Sequence, residues 1–185
     1  MNTVQYAAEI VKELQRSVAL ISEEKAQELA DRIRNARKVF VAGAGRSGLM
    51  GKAFAMRLMH MGIDAYVIGE TITPGIGPDD LLIVGSGSGE TQSLVAMARK
   101  AKQLGALVGA VFIRPESSLA GLSDFGVEVP AATKDQTQDQ AVTIQPMGSL
   151  FEQTLLILYD AVILKLMEQT DQDSGQMFGN HANLE

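Results

Sequence analysis

The stretch Leu82-Ile83-Val84-Gly85-Ser86-Gly87-Ser88-Gly89-Glu90-Thr91 passes from an apolar run into a loop of alternating glycine and hydroxyl residues, and then into a helical pattern over 91–104. An apolar run with no polar alternation fits a strand covered on both faces, as in a parallel sheet between helices. Forty-two residues earlier the same design occurs: an apolar run over 39–42, the loop Gly43-Ala44-Gly45-Arg46-Ser47-Gly48, and a helical pattern to about Met61. Six of the eighteen glycines fall in these two loops. Glycine lets successive backbone N–H groups point into one concavity, the following helix adds the positive end of its dipole, and hydroxyls add further donors. The paired loops therefore predict an α/β chain that holds phosphate.

Working outward, residues 1–36 read as a helical hairpin. Val4, Ala8, Val11 and Leu14 recur at helical spacing; Ser22 then caps a second helix whose first turn holds Glu23 and Glu24 and whose apolar face is Ala26, Leu29, Ala30 and Ile33. Further strands are predicted over 65–68, 107–113 and 125–129, with a short helix after Ser117. Alternation of this kind predicts a parallel sheet flanked by helices. Residues 131–146 are rich in Gln, Asp and Thr and end at Pro146; loops this long in compact domains serve as covers or lack order. A last helix is expected from Ser149 to about Met167, followed by a polar tail ending in His181-Ala182-Asn183-Leu184-Glu185. The whole chain, 1–185, suits one domain.

Bulk composition narrows the partners. A net charge of −6 and the lack of a basic stripe speak against nucleic acid. The run over 155–167 is broken by Asp160 and Lys165 and is too short to span a bilayer, so no membrane partner is expected. The N-terminus has neither a basic region nor an apolar core, so no secretory signal is expected and the cytoplasm is the anticipated location. Without cysteine there are no disulfides or thiol nucleophiles, and two separated histidines give no metal site.

Several motifs have two readings. Gly43 to Gly48 fits G-x-G-x-x-G, and Glu70 lies 22 residues beyond Gly48, near where a dinucleotide fold places its ribose-binding acid. A second hydroxyl-rich loop is more than a dinucleotide site needs, which favours a different anion. A Walker loop is excluded, because Gly51-Lys52 precedes Ala53 and Arg46 stands where its first glycine belongs. In the second loop, Ser88 or Thr91 could simply cap the next helix, but three hydroxyls in six residues exceed one cap. Ser149-Leu150-Phe151-Glu152 has the pattern of a capping box, which would occupy the Glu152 carboxylate structurally; the alternative is a partly buried general base. His60 suits a helix C-terminus, and His181, in a polar tail, is either idle or a proton-transfer group.

Together these residues resemble the sugar isomerase (SIS) domain family. The narrower resemblance is to its 6-phospho-3-hexuloisomerase branch, carried by Gly43 to Gly48 followed by Phe54-Ala55-Met56-Arg57-Leu58-Met59-His60, by Gly69-Glu70-Thr71, by Gln145-Pro146-Met147-Gly148-Ser149-Leu150-Phe151-Glu152, and by the His181 to Glu185 ending. The resemblance implies a flavodoxin-like three-layer sandwich with a five-stranded parallel sheet, a homotetramer and no cofactor. It implies conversion of D-arabino-hex-3-ulose 6-phosphate to fructose 6-phosphate through an enediol, in formaldehyde fixation by the ribulose monophosphate pathway. It places phosphate on Ser86, Gly87, Ser88 and Thr91, with Ser47 on the facing loop and Arg46 as a further substrate contact. Glu152 takes the place of the enolisation base, and His181 that of a histidine reaching into a neighbouring subunit's site. One departure is visible: many SIS domains carry Thr or Ser just after the fourth strand, where this chain has Ile113-Arg114-Pro115. A sugar-phosphate sensor without catalysis, or an isomerase of another sugar phosphate, fits the same loops.

Overall fold

A computed structural model of the protein describes residues 1–132 and 143–184. Five parallel strands form one sheet: β1 (Val39–Gly43), β2 (Ala65–Val67), β3 (Leu81–Gly85), β4 (Leu107–Phe112) and β5 (Phe125–Glu128), in the order β2-β1-β3-β4-β5. Their side chains alternate between two cores, as period-two geometry requires. Val39, Val41, Leu81, Ile83, Val111 and Val127 face one layer, made by helices α2 (Glu23–Asn35), α3 (Gly45–His60) and α6 (Ser149–Thr170). Phe40, Leu82, Val84, Val108, Ala110 and Phe112 face the other, made by α4 (Gln92–Gln103) and α5 (Ser118–Leu122). Buried on both faces, the central strands β1, β3 and β4 had to be unbroken apolar runs, whereas the edge strands β2 and β5 are only partly buried; the predicted strands lie where the sheet is.

In register, Gly43 of β1 stands beside Gly85 of β3, so the two glycine loops leave the sheet side by side. The chain then turns from β1 toward β2 and from β3 toward β4, in opposite directions along the sheet. Open α/β sheets bind their ligands in the crevice left at such a switch point.

The N-terminal hairpin is present, with α1 (Thr3–Val18) and α2, and Ser22 caps α2 by accepting from the Lys25 amide. The expected inner face of α1 is corrected. Val4 and Val11 are exposed, Leu14 is half-buried, and the buried residues of this helix are Glu13 and Ser17. The physical reason is that α1 meets its neighbours through polar side chains that hold backbone and amide groups. The polar tail also needs correction, because it contains a short helix, α7 (Ser174–Phe178), started by a capping box between Asp173 and Gln176. Residues 133–142, the middle of the loop read as a cover or as lacking order, lie outside the described residues; Ala131, Ala132 and Gln145 at its ends are buried.

Candidate active site

A cavity of about 450 Å³ opens between the two glycine loops, lined by Ala44, Gly45 and Ser47 of the first and by Gly85, Ser86, Gly87, Ser88, Glu90 and Thr91 of the second. Leu94, Ile113, Arg114, Gly148, Phe151 and Glu152 complete its wall. The first loop is closed backbone against backbone: a Cβ on Gly48 would sit 2.7 Å from the Gly43 oxygen, so neither residue of this pair tolerates a side chain. In the second loop a Cβ on Gly87 would come within 3.2 Å of Phe151 and Ile113, and its absence lets α6 approach the sheet end. Behind the loop Tyr159 stacks on Phe54 at 4.1 Å, and burial pushes its phenol above the ordinary value, leaving it neutral.

The hydroxyls of the second loop are not used up by capping. Thr91 is the N-cap of α4, yet its side chain makes no capping hydrogen bond; its Oγ1 lies 3.5 Å from Ser86 Oγ. Ser86 Oγ accepts weakly from the Gly89 amide and Ser88 Oγ from the Glu90 amide, both at 3.3 Å. The Gly87 and Ser88 amides have no hydrogen-bond partner among the described residues. Amides, hydroxyls and the start of a twelve-residue helix converge on one hollow, which is the donor set that an anion needs.

Across the cavity, the capping-box reading of Glu152 is corrected. The N-cap of α6 is Gly148, in a left-handed conformation with φ 79°, and no side chain caps the helix. Ser149 is already helical; its Oγ donates to the Pro146 carbonyl at 2.7 Å and accepts from Arg46 Nη1 at 2.8 Å. Glu152 is thereby free of a capping role. It is 4% exposed, and Arg46 Nη1 stands 3.1 Å from its Oε2. That guanidinium N–H is aimed at Ser149, so Oε2 is charge-paired but has no hydrogen-bond partner among the described residues. A buried carboxylate oxygen with a lone pair to spare can take a proton from a bound molecule.

His181 is elsewhere. Its ring stacks on His60 at 5.2 Å and near Phe178 at 5.9 Å, and Asn180 Nδ2 donates to the His60 carbonyl at 2.9 Å. These contacts dock the tail on the far end of α3, about 20 Å from Arg46 at 1.5 Å per residue. Within one chain, therefore, His181 and Glu152 are not brought together. His60 is buried, and burial, then the charge of Arg57 and the neighbouring His181, hold its imidazole below the ordinary value; Arg57 Nη1 lies 3.2 Å from its Nδ1.

Residues 32–157, more than half of the chain, match the SIS domain. The chain belongs to the SIS domain family. It is 57% identical to the 3-hexulose-6-phosphate isomerase of Bacillus subtilis (strain 168) over 185 residues, which covers 100% of both chains. With the 3-hexulose-6-phosphate isomerase of Mycobacterium gastri the identity is 43% over 173 residues, or 94% of this chain and 86% of the other. A solved Methanococcus jannaschii structure, for which a molecular function of 3-hexulose-6-phosphate isomerase was inferred, superposes with a TM-score of 0.84 at 33% identity, covering 98% of this chain and 99% of that one.

In this SIS site the strand end that departs from the family pattern still faces the cavity. Arg114, two residues past the end of β4, is one of its lining residues and was not singled out from the sequence as a ligand. The signal that could have found it is positional: β4 lies next to β3 in the sheet, so a residue just past its end flanks the second loop. Glu70, weighed as a ribose-binding acid, instead pairs with Lys52 at 2.7 Å on the exposed surface. Among the described residues no group of three or more His, Asp or Glu could hold a metal ion, and no helix is long and apolar enough to cross a membrane.

Proposed function

We propose that this SIS protein interconverts D-arabino-hex-3-ulose 6-phosphate and fructose 6-phosphate, the isomerisation step of formaldehyde fixation by the ribulose monophosphate pathway. The observation that carries the reading is the Glu152 carboxylate, buried in the cavity wall with Oε2 lacking a hydrogen-bond partner among the described residues. Full-length similarity to isomerases of this substrate supports the choice of sugar.

A 3-ketose whose O6 carries phosphate has no free hydroxyl with which to close a five-membered ring, so the forward reaction starts from an open chain. Glu152 removes the proton from C2, the electron pair of that bond forms the C2–C3 double bond of a 2,3-enediol, and the C3 carbonyl oxygen is protonated. Return of a proton to C3 and loss of the O2 proton give the 2-ketose, so atoms balance with no redox partner. One carboxylate can serve both carbons if it lies within about 3 Å of each in turn. Ser47, Ser86, Gly87, Ser88 and Thr91 hold the phosphate and so fix where the reacting carbons stand. Arg46 pairs with the carboxylate at 3.1 Å and so aims it, and contacts the sugar from the rim. His181 shuttles protons between O2 and O3 in the site of a neighbouring subunit, in a cytoplasmic homotetramer with no nucleic-acid or membrane partner.

Incubation with fructose 6-phosphate in deuterium oxide tests the reading. Incorporation of deuterium at C3 is the expected result. Incorporation at C1 alone means an aldose isomerase, and none at any carbon means a binding module without catalysis.

A further inference from the structure

Helix α1 touches the chain on both sides of residues 133–142, and it does so with polar side chains. On one side Ser17 Oγ donates to the Pro130 carbonyl at 2.6 Å. On the other, Glu13 accepts three hydrogen bonds: from Thr143 Oγ1 at 2.6 Å and Gln145 Nε2 at 2.9 Å on Oε2, and from the Ile144 amide at 2.9 Å on Oε1. Glu13 is 4% exposed, so these bonds form away from water, where charge-assisted hydrogen bonds are strong and directional. The path from this clamp to the reacting carboxylate is short. Pro146, next to Gln145, accepts from both the amide and the hydroxyl of Ser149, at 3.0 and 2.7 Å; that hydroxyl takes the Arg46 N–H, and Arg46 pairs with Glu152.

We propose that Glu13 is a positioning residue for Glu152: by fixing Thr143, Ile144 and Gln145 it sets where α6 begins, and with it the hydroxyl that aims Arg46. The proposal rests on the function given above. A second tie fits it, since Thr154 Oγ1 donates to Ser17 Oγ at 3.3 Å, so α1 also holds the first turns of α6 just beyond Glu152. The apolar stripe of α1 does not do this work, because Val4 and Val11 point to solvent. A packed apolar residue at position 13 would fill space but could not fix three donors, and a displacement of about 1 Å at a reacting group can cost on the order of a hundredfold in rate.

Steady-state kinetics with fructose 6-phosphate on the full chain, with thermal unfolding alongside, test it. Glu13→Gln is expected to lower kcat about tenfold while KM stays within about twofold, because the phosphate loops lie on other elements. Thr143→Val removes one of the three bonds and is expected to lower kcat about threefold, whereas Thr143→Ser, which keeps the hydroxyl, retains the wild-type value. An unchanged kcat in Glu13→Gln and Thr143→Val, with only a lower unfolding midpoint, makes Glu13 a brace of the fold and overturns the proposal. If Glu13→Gln does not fold, the Thr143 pair decides by the same criterion. A wild-type protein that does not turn over the sugar phosphate overturns the proposed function, and this inference with it; an active wild type with unimpaired variants overturns this inference alone.

Discussion

The two ends of α3 face different tasks. At its N-terminus, Ser47 lines the cavity between the glycine loops, and Arg46 reaches the Glu152 carboxylate in the cavity wall. At its C-terminus, His60 anchors the tail through His181 and Asn180. The separation between them, about 20 Å, is fixed by the rise of a helix and cannot be closed by side-chain motion. Around the first end lie the groups that the proposed reaction uses to hold phosphate and to move a carbon-bound proton. The second holds a histidine where no sugar phosphate in the same chain's cavity can meet it. If both take part in one reaction, the contribution of the second must come from another copy.

The sharpest test acts at the first end. Glu152→Gln keeps size and helix propensity but removes the base, and kcat is expected to fall by roughly 10²- to 10⁴-fold with the fold intact by circular dichroism. Near-normal turnover would mean that the carboxylate is only a partner for Arg46. The next test acts on the second end. Truncation after Gly179 removes His181 and is expected to cost about 10- to 100-fold in kcat while fructose 6-phosphate binding persists. Mixing the truncated chain with Glu152→Gln chains sharpens the comparison, since each supplies what the other lacks. Recovered activity in the mixture means that the two ends meet across subunits; no recovery removes His181 from the shared site.

Acid separates the ends with the smallest effect. The folded protein disfavours charge on His60, first through burial and then through Arg57 and His181, so its contribution is whole above the ordinary imidazole value of 6.5 and declines as pH falls below it. For Glu13, burial works toward a raised value, but the donors Thr143, Gln145 and Ile144, with Arg16, hold it below the ordinary 4.5; its contribution is whole above 4.5 and is lost as pH falls through the lowered value. Amide protection along the tail, measured against the intrinsic exchange rate at each pH, is therefore expected to fall between about pH 6.5 and 4.5, before protection at 144–152 does. Both segments loosening together would show that the tail is not docked through His60.

How far each region was legible follows from the kind of signal it carries. The strands and the two glycine loops were readable because unbroken apolar runs and glycine-hydroxyl turns are local patterns with one dominant physical use. Arg46 and Glu152 were named from the sequence, but their relation was not: 106 residues separate them, and local spacing at Ser149 suggested a capping box that the left-handed Gly148 makes unnecessary. Glu13 was passed over because the helical period of Val4, Ala8 and Val11 drew attention to the opposite face. Its role depends on donors 130 to 132 residues away, which no window along the chain contains. Helix α7 had a readable start in Asp173 and Gln176, yet five residues without an apolar period look like tail. The stacking of His60 on His181 left no trace in either segment.

The sheet ends in β2, three residues long, on one side and β5, four residues long, on the other. Each therefore offers little unpaired backbone to a foreign strand. The longer strands, β1, β3 and β4, are inside, where their backbone bonds are already taken. At high concentration, such a molecule is guarded against growing into fibres by the shortness of its outermost strands.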